Sequence, residues 1–181
     1  MLLINLGKED SFQKVFSHNT VGGLFSSKQD ALNRNPKNPN AHLFSILDKL
    51  ENYRNNEGRF HLKLCFPEVS GVGGGHCNEW TQTSNPAAET TITGFKAISL
   101  AFTKTGDNNA WAGLGRSQGS SNTLVDDAPS EHNWWSAIGA TVHSNWLQAG
   151  SIPGPVNHGV KRVELYAHTG NVKFTVNKVK Y

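Results

Sequence analysis

The sequence has no apolar run near the roughly 20 residues that a membrane-spanning helix needs, so no part of it reads as a helical span. It also has little charge. Charged residues make up 17%, and the net charge is +3 with neutral histidines. The basic residues are scattered, with only short clusters at Lys161-Arg162 and Lys178 to Lys180. Scattered basic residues suit solvated strand edges and give no stripe for nucleic acid. Phosphate-loop spacing is missing, and none of the eight histidines forms a pair four residues apart on a helix. Dense carboxylate runs are missing too, which argues against direct mineral templating. The apolar start, Met1 to Leu6, is too short for the core of a signal peptide and runs straight into Lys8, Glu9 and Asp10. There is no Asn-x-Ser/Thr acceptor to mark a secreted surface.

What is present fits one domain over 1–181, with a core at about 12–168. A chain of 181 residues can build its own core. Many Gly, Asn, Ser and Thr accompany the 36% of hydrophobic residues, a mixture typical of loop-rich β domains. Cys65 and Cys77 are the two cysteines, and Gly71, Gly73, Gly74 and Gly75 lie between them. Glycines let the backbone double back and bring two Cβ atoms together, so a disulfide is expected. The plain alternative is two free thiols. Zinc is disfavoured, because only His76 joins the two cysteines locally.

Phe12 to Ser17 reads as a strand. Ser27-Lys28-Gln29-Asp30 has capping-box character, which predicts a short helix to about Asn33. Leu43, Ile46, Leu47, Leu50 and Tyr53 recur at spacings of three and four, which predicts a helix over about Ala41 to Asn55 with Asn40 as N-cap. Phe60, Leu62, Leu64 and Phe66 alternate with His61, Lys63 and Cys65, a half-buried strand. Ile92 to Thr103 reads as another strand, with Ile98, Leu100 and Phe102 on one face. Trp134 to Thr141 reads as a core strand. Val163, Leu165 and Ala167 alternate with Glu164, Tyr166 and His168, and a hairpin strand at 171–180 is expected to follow. Strands outnumber helices and the long connections are not helical. The expected fold is a mainly antiparallel β-sandwich with one or two helices packed against it.

Several phrases are distinctive together: Val15-Phe16-Ser17-His18, Phe60-His61-Leu62-Lys63-Leu64-Cys65-Phe66-Pro67-Glu68, Cys77-Asn78-Glu79-Trp80, Trp134-Trp135-Ser136-Ala137-Ile138-Gly139-Ala140 and Val163-Glu164-Leu165-Tyr166. This set resembles a secreted domain of marine invertebrates, found in fibrinogen-related proteins and in some coral skeletal organic matrix proteins. The resemblance covers about Val15 to Tyr166. It implies secretion, the disulfide, and a recognition or matrix role.

Five tryptophans are many for this length. An indole face can stack on the C–H face of a sugar, and neighbouring polar groups can orient its hydroxyls. Asn78, Glu79 and Trp80 follow Cys77 directly, and Trp111, Trp134 and Trp135 are further candidates. The plain alternative for each tryptophan is core. Asp126 and Asp127, with Glu131 nearby, supply loop oxygens of the kind Ca²⁺ takes, although the spacing is not an EF-hand. The alternative there is a solvated turn. The expectation is that the Trp80 segment and the Asp126-Asp127 segment meet on one rim. The expected function is a lectin-like extracellular module that binds carbohydrate or glycoprotein. A matrix protein acting by self-association is the alternative, and a glycan-acting enzyme using Glu79 and Asp127 is the least favoured reading.

Overall fold

In the computed structural model the described residues are 11–89, 92–102, 152, 154–155 and 160–170. Their centre is a seven-stranded sheet. The strands are β1 (Phe12–Asn19), β2 (Asn33–Arg34), β3 (Leu43–Ile46), β4 (Phe60–Cys65), β5 (Cys77–Gln82), β6 (Lys96–Leu100) and β7 (Arg162–His168). Their order is β2-β3-β1-β7-β4-β5-β6, and every pairing is antiparallel. The expected β-rich class with few helices is therefore the class observed. All described strands share one sheet, and a second sheet of a sandwich is not among the described residues.

Alternation divides the sheet into two faces. Phe60, Leu62 and Leu64 of β4, Asn78, Trp80 and Gln82 of β5, and Val163, Leu165 and Ala167 of β7 are buried on the inner face. Each large apolar side chain placed there contributes roughly 1.5–3 kcal/mol relative to exposure. Phe25 closes over Phe16 in a stack with ring centroids 5.4 Å apart, and the Arg54 guanidinium lies 4.3 Å from the Phe60 ring centre. Ser27 caps the helix α1 (Lys28–Leu32), its side chain accepting from the Asp30 N–H as the capping pattern predicts.

The long helix expected at about Ala41 to Asn55 is a correction. Leu43–Ile46 is the strand β3, and Leu47–Tyr53 is a 3-10 helix. All four residues of β3 are buried, and it pairs with both β1 and β2. A strand buried on both sides reads as a continuous apolar run, which periodicity alone cannot distinguish from a helix. Leu47, Leu50 and Tyr53 are buried and spaced by three, the repeat of a 3-10 turn.

Two bulges shift the alternation. In β1, Lys14 pairs with Tyr166 and Phe16 with Leu165, so Val15 is the extra residue. In β6, Ser99 pairs with Glu79 and Ala97 with Trp80, leaving Ile98 extra. The expectation that Ile98, Leu100 and Phe102 lie on one face is corrected at Ile98, which the bulge leaves 52% exposed while Phe102 is buried. The strands expected at Trp134 to Thr141 and at 171–180 lie outside the described residues. β7 has both neighbours already, β1 on one side and β4 on the other.

Candidate functional site

Cys65 and Cys77 stand opposite each other at the end of the β4–β5 pair and are bonded, with a Cα–Cα distance of 4.0 Å. The glycine-rich loop between them packs on the chain after β6. A Cβ on Gly71 would lie 2.2 Å from the Ala101 carbonyl oxygen, so only glycine fits there. The expected disulfide is thus present, and it ties β4 to β5 beside the outer face.

Asn78, Glu79 and Trp80 are separated by the pleat. Asn78 is fully buried; its side-chain amide donates to the Phe102 carbonyl at 2.9 Å and accepts from the Phe102 N–H at 2.8 Å. This clamp fixes the chain leaving β6. Trp80 is 1% exposed and its indole N–H donates to Gln82 Oε1 at 2.7 Å. No ring face is left for a sugar, which returns Trp80 to the core reading. Glu79 alone points outward, where His61 Nε2 lies 2.7 Å from Oε1 and Lys63 Nζ 3.6 Å from Oε2. Trp111, Asp126, Asp127, Trp134 and Trp135 lie outside the described residues, and so does the proposed calcium site at Asp126 and Asp127. Also there is Gly115-Arg116-Ser117-Gln118-Gly119, which has the spacing of a nucleophile elbow, a motif that needs a strand–turn–helix corner. Among the described residues no group of three or more metal-ligating side chains converges.

The outer face carries a different constellation. A cleft of about 430 Å³ opens beside the disulfide, lined by Phe12, Lys63, Pro67, His76, Glu164 and Tyr166 among others. Its size lies within the range of small-ligand sites. The Lys63 ammonium sits 4.1 Å from the Phe12 ring centre. His61 and His168 stack at 5.0 Å, with Phe12 edge-on to both.

Glu164 anchors the far wall. It is only 5% exposed. Lys14 Nζ and Arg162 Nη2 donate to its Oε1 at 2.7 and 2.6 Å, and the Tyr166 hydroxyl donates to Oε2 at 2.7 Å. Burial alone would raise the Glu164 pKa. The hydrogen bonds from Lys14, Tyr166 and Arg162, with the Lys14 charge, outweigh it and hold the carboxyl below the ordinary glutamate value. Burial, then the hydrogen bond and charge of Glu164, push the Tyr166 phenol well above its ordinary value. Both groups therefore keep fixed protonation states near neutral pH.

No family model matches the chain, and no curated protein or solved structure shows significant similarity to it.

Sequence reasoning did not select Phe12, Lys63, Glu164 or Tyr166 as site residues. The usable signal was the alternation of β4 and β7, which already set Lys63, Glu164 and Tyr166 apart from the apolar positions.

Proposed function

We propose that this is a secreted recognition domain that binds carbohydrate on the outer face of its sheet. The cleft of about 430 Å³ beside the Cys65–Cys77 bond carries the reading. Phe12 and Tyr166 supply aromatic surface for a sugar ring. Lys63 and the Glu164 cluster supply polar groups whose positions are already fixed, so little ordering entropy is lost on binding. A disulfide fits an oxidising compartment, and the resemblance to a secreted invertebrate domain agrees with it. The chain works by binding, without chemistry of its own.

A glycan array probed with the wild-type chain tests this, followed by titration of Phe12→Ala and Lys63→Ala. Each variant is expected to keep its fold and to lose at least tenfold in affinity. Absence of any glycan binding by folded wild type would overturn the reading, as would unchanged affinity in both variants.

Self-association is the second reading, favoured by β6. It lies at the edge of the sheet among the described strands and exposes Ile98. Sedimentation over a hundredfold concentration range separates the two, because a lectin-like monomer keeps one mass and a self-assembling matrix protein does not.

A further inference from the structure

A second, smaller hollow of about 150 Å³ lies on the same outer face, lined by Lys14, Ser17, Asn19, His42 and Arg162 among others. It adjoins the cleft across one ion-pair cluster. Glu164 lines the cleft, while its partners Lys14 and Arg162 line the hollow.

The bulge in β1 builds this hollow. Lys14 faces Tyr166 and Ser17 faces Glu164 across the strand pair. Tyr166 and Glu164 are two residues apart on β7 and share the outer face, so Lys14 and Ser17 share it as well. Without the extra Val15, residues three apart would point to opposite faces.

Two observations suit an anion there. No carboxylate is among the described residues that line the hollow, whereas the cationic side chains of Lys14 and Arg162 are. Glu164 accepts one hydrogen bond from each of Lys14 and Arg162, and each cation has further N–H donors. Ser17 lines the hollow, and its hydroxyl is not among the buried polar atoms left without a partner, so it is open to the hollow. A hydroxyl open to the hollow has one O–H to donate to a ligand oxygen. The hollow is too small for a sugar ring by the usual range of ligand sites, but holds the space of about five waters.

We propose that this hollow is an oxyanion subsite in which Lys14, Arg162 and the Ser17 hydroxyl take a sulfate group. Its fitting source is a sulfate ester on a saccharide whose ring occupies the adjoining cleft. That choice of source rests on the carbohydrate reading above, whereas the anion chemistry of the hollow does not.

The test has two arms on the full chain. In the first, inorganic sulfate is titrated at constant ionic strength against backbone amide resonances. Saturable shifts at Ser17 and Arg162 that are reduced at least fivefold in affinity by Ser17→Ala and by Arg162→Gln are expected. Their absence, or shifts matched by chloride, would overturn the subsite. In the second, a sulfated oligosaccharide is compared with its desulfated counterpart. The sulfated form should bind at least tenfold more tightly, and Ser17→Ala, which lies outside the Glu164 cluster, should reduce that preference at least threefold while leaving desulfated affinity within about twofold. Equal binding of the two forms alongside saturable free sulfate would keep the subsite and overturn its assignment to a sulfate ester. If neither saccharide binds, the cleft reading and the ester assignment fail together, and the first arm still decides the hollow. An unchanged thermal midpoint in Ser17→Ala would show that lost binding is not lost folding.

Discussion

The two faces of the sheet come from the same strands and differ in what their side chains do. On β4 and β5, Leu62 opposite Trp80 is inner, and Lys63 opposite Glu79 is outer, one residue away. The inner set is closed over by Phe25 and Arg54 and leaves no ring surface free. The outer set is half-buried and charged, and it lines two concavities. Large apolar area sits where it stabilises, and fixed polar groups sit where a ligand can reach them. Trp80 therefore belongs to the stabilising face, where the alternation of β5 places it.

The sharpest way to break that comparison is to cut the inner face. Trp80→Ala should destabilise by about 3–5 kcal/mol, because it opens a cavity and strands the buried Gln82 oxygen that accepts the indole N–H. Denaturant unfolding measures it. A loss under about 1 kcal/mol would mean that Trp80 is not the core residue its burial indicates. The disulfide comes next, since it belongs to both faces by holding β4 to β5. It closes a loop of sequence separation 12, and replacing both Cys65 and Cys77 by serine should cost about 3 kcal/mol. Unchanged stability of the double variant would show that the strand pairing alone fixes this end of the sheet.

Much of the fold was legible, and the failures have physical causes. The strands at Phe12, Phe60 and Val163 and the Ser27 cap followed from alternation and capping chemistry, which are local. β3 was misread because a strand paired on both edges and buried on both faces loses the period of two. Ile98 was misplaced because a bulge moves the alternation by one residue without any mark in composition. The site was less legible. Asn78, Glu79 and Trp80 were grouped by adjacency, and the pleat sends Asn78 and Trp80 inward and Glu79 outward. The cleft instead unites residues of β1, β4 and β7 that are up to about 150 positions apart, and only the strand order brings them together.

Glu164 sharpens the comparison, because it is an outer residue buried as deeply as the core. Glu164→Gln leaves Lys14, Arg162 and Tyr166 with a neutral partner, and should cost about 1.5–3 kcal/mol near neutral pH. The effect should depend on pH in one direction. The folded-state pKa is depressed, so the stabilisation is complete above the unfolded value of about 4.3 and is lost as pH falls toward the folded value. The stability gap between wild type and Glu164→Gln should be constant from about pH 5 to 8 and shrink below about pH 4. A gap that stayed constant through acid would show that the ion cluster does not set it.

The smallest expected effect on stability falls at Lys63, and it is the one that best separates the two faces. Lys63 sits between the inner-facing Leu62 and Leu64 in the chain, but its own ammonium reaches the Phe12 ring and Glu79. Lys63→Met keeps the long stem against Phe12 and removes only the charge. An exposed ion pair contributes about 0–1 kcal/mol, and a cation on an aromatic ring at an exposed site about 0.5–1 kcal/mol. His61 remains on Glu79, so that carboxylate is not orphaned. Stability should therefore fall by less than about 1 kcal/mol, whereas saccharide affinity should fall at least tenfold because the cleft loses the ammonium donor on its wall. A variant that unfolds would place Lys63 with the core residues. One that stays folded and binds glycan as tightly as wild type would remove the cleft wall from the recognition surface, and with it the functional difference between the two faces.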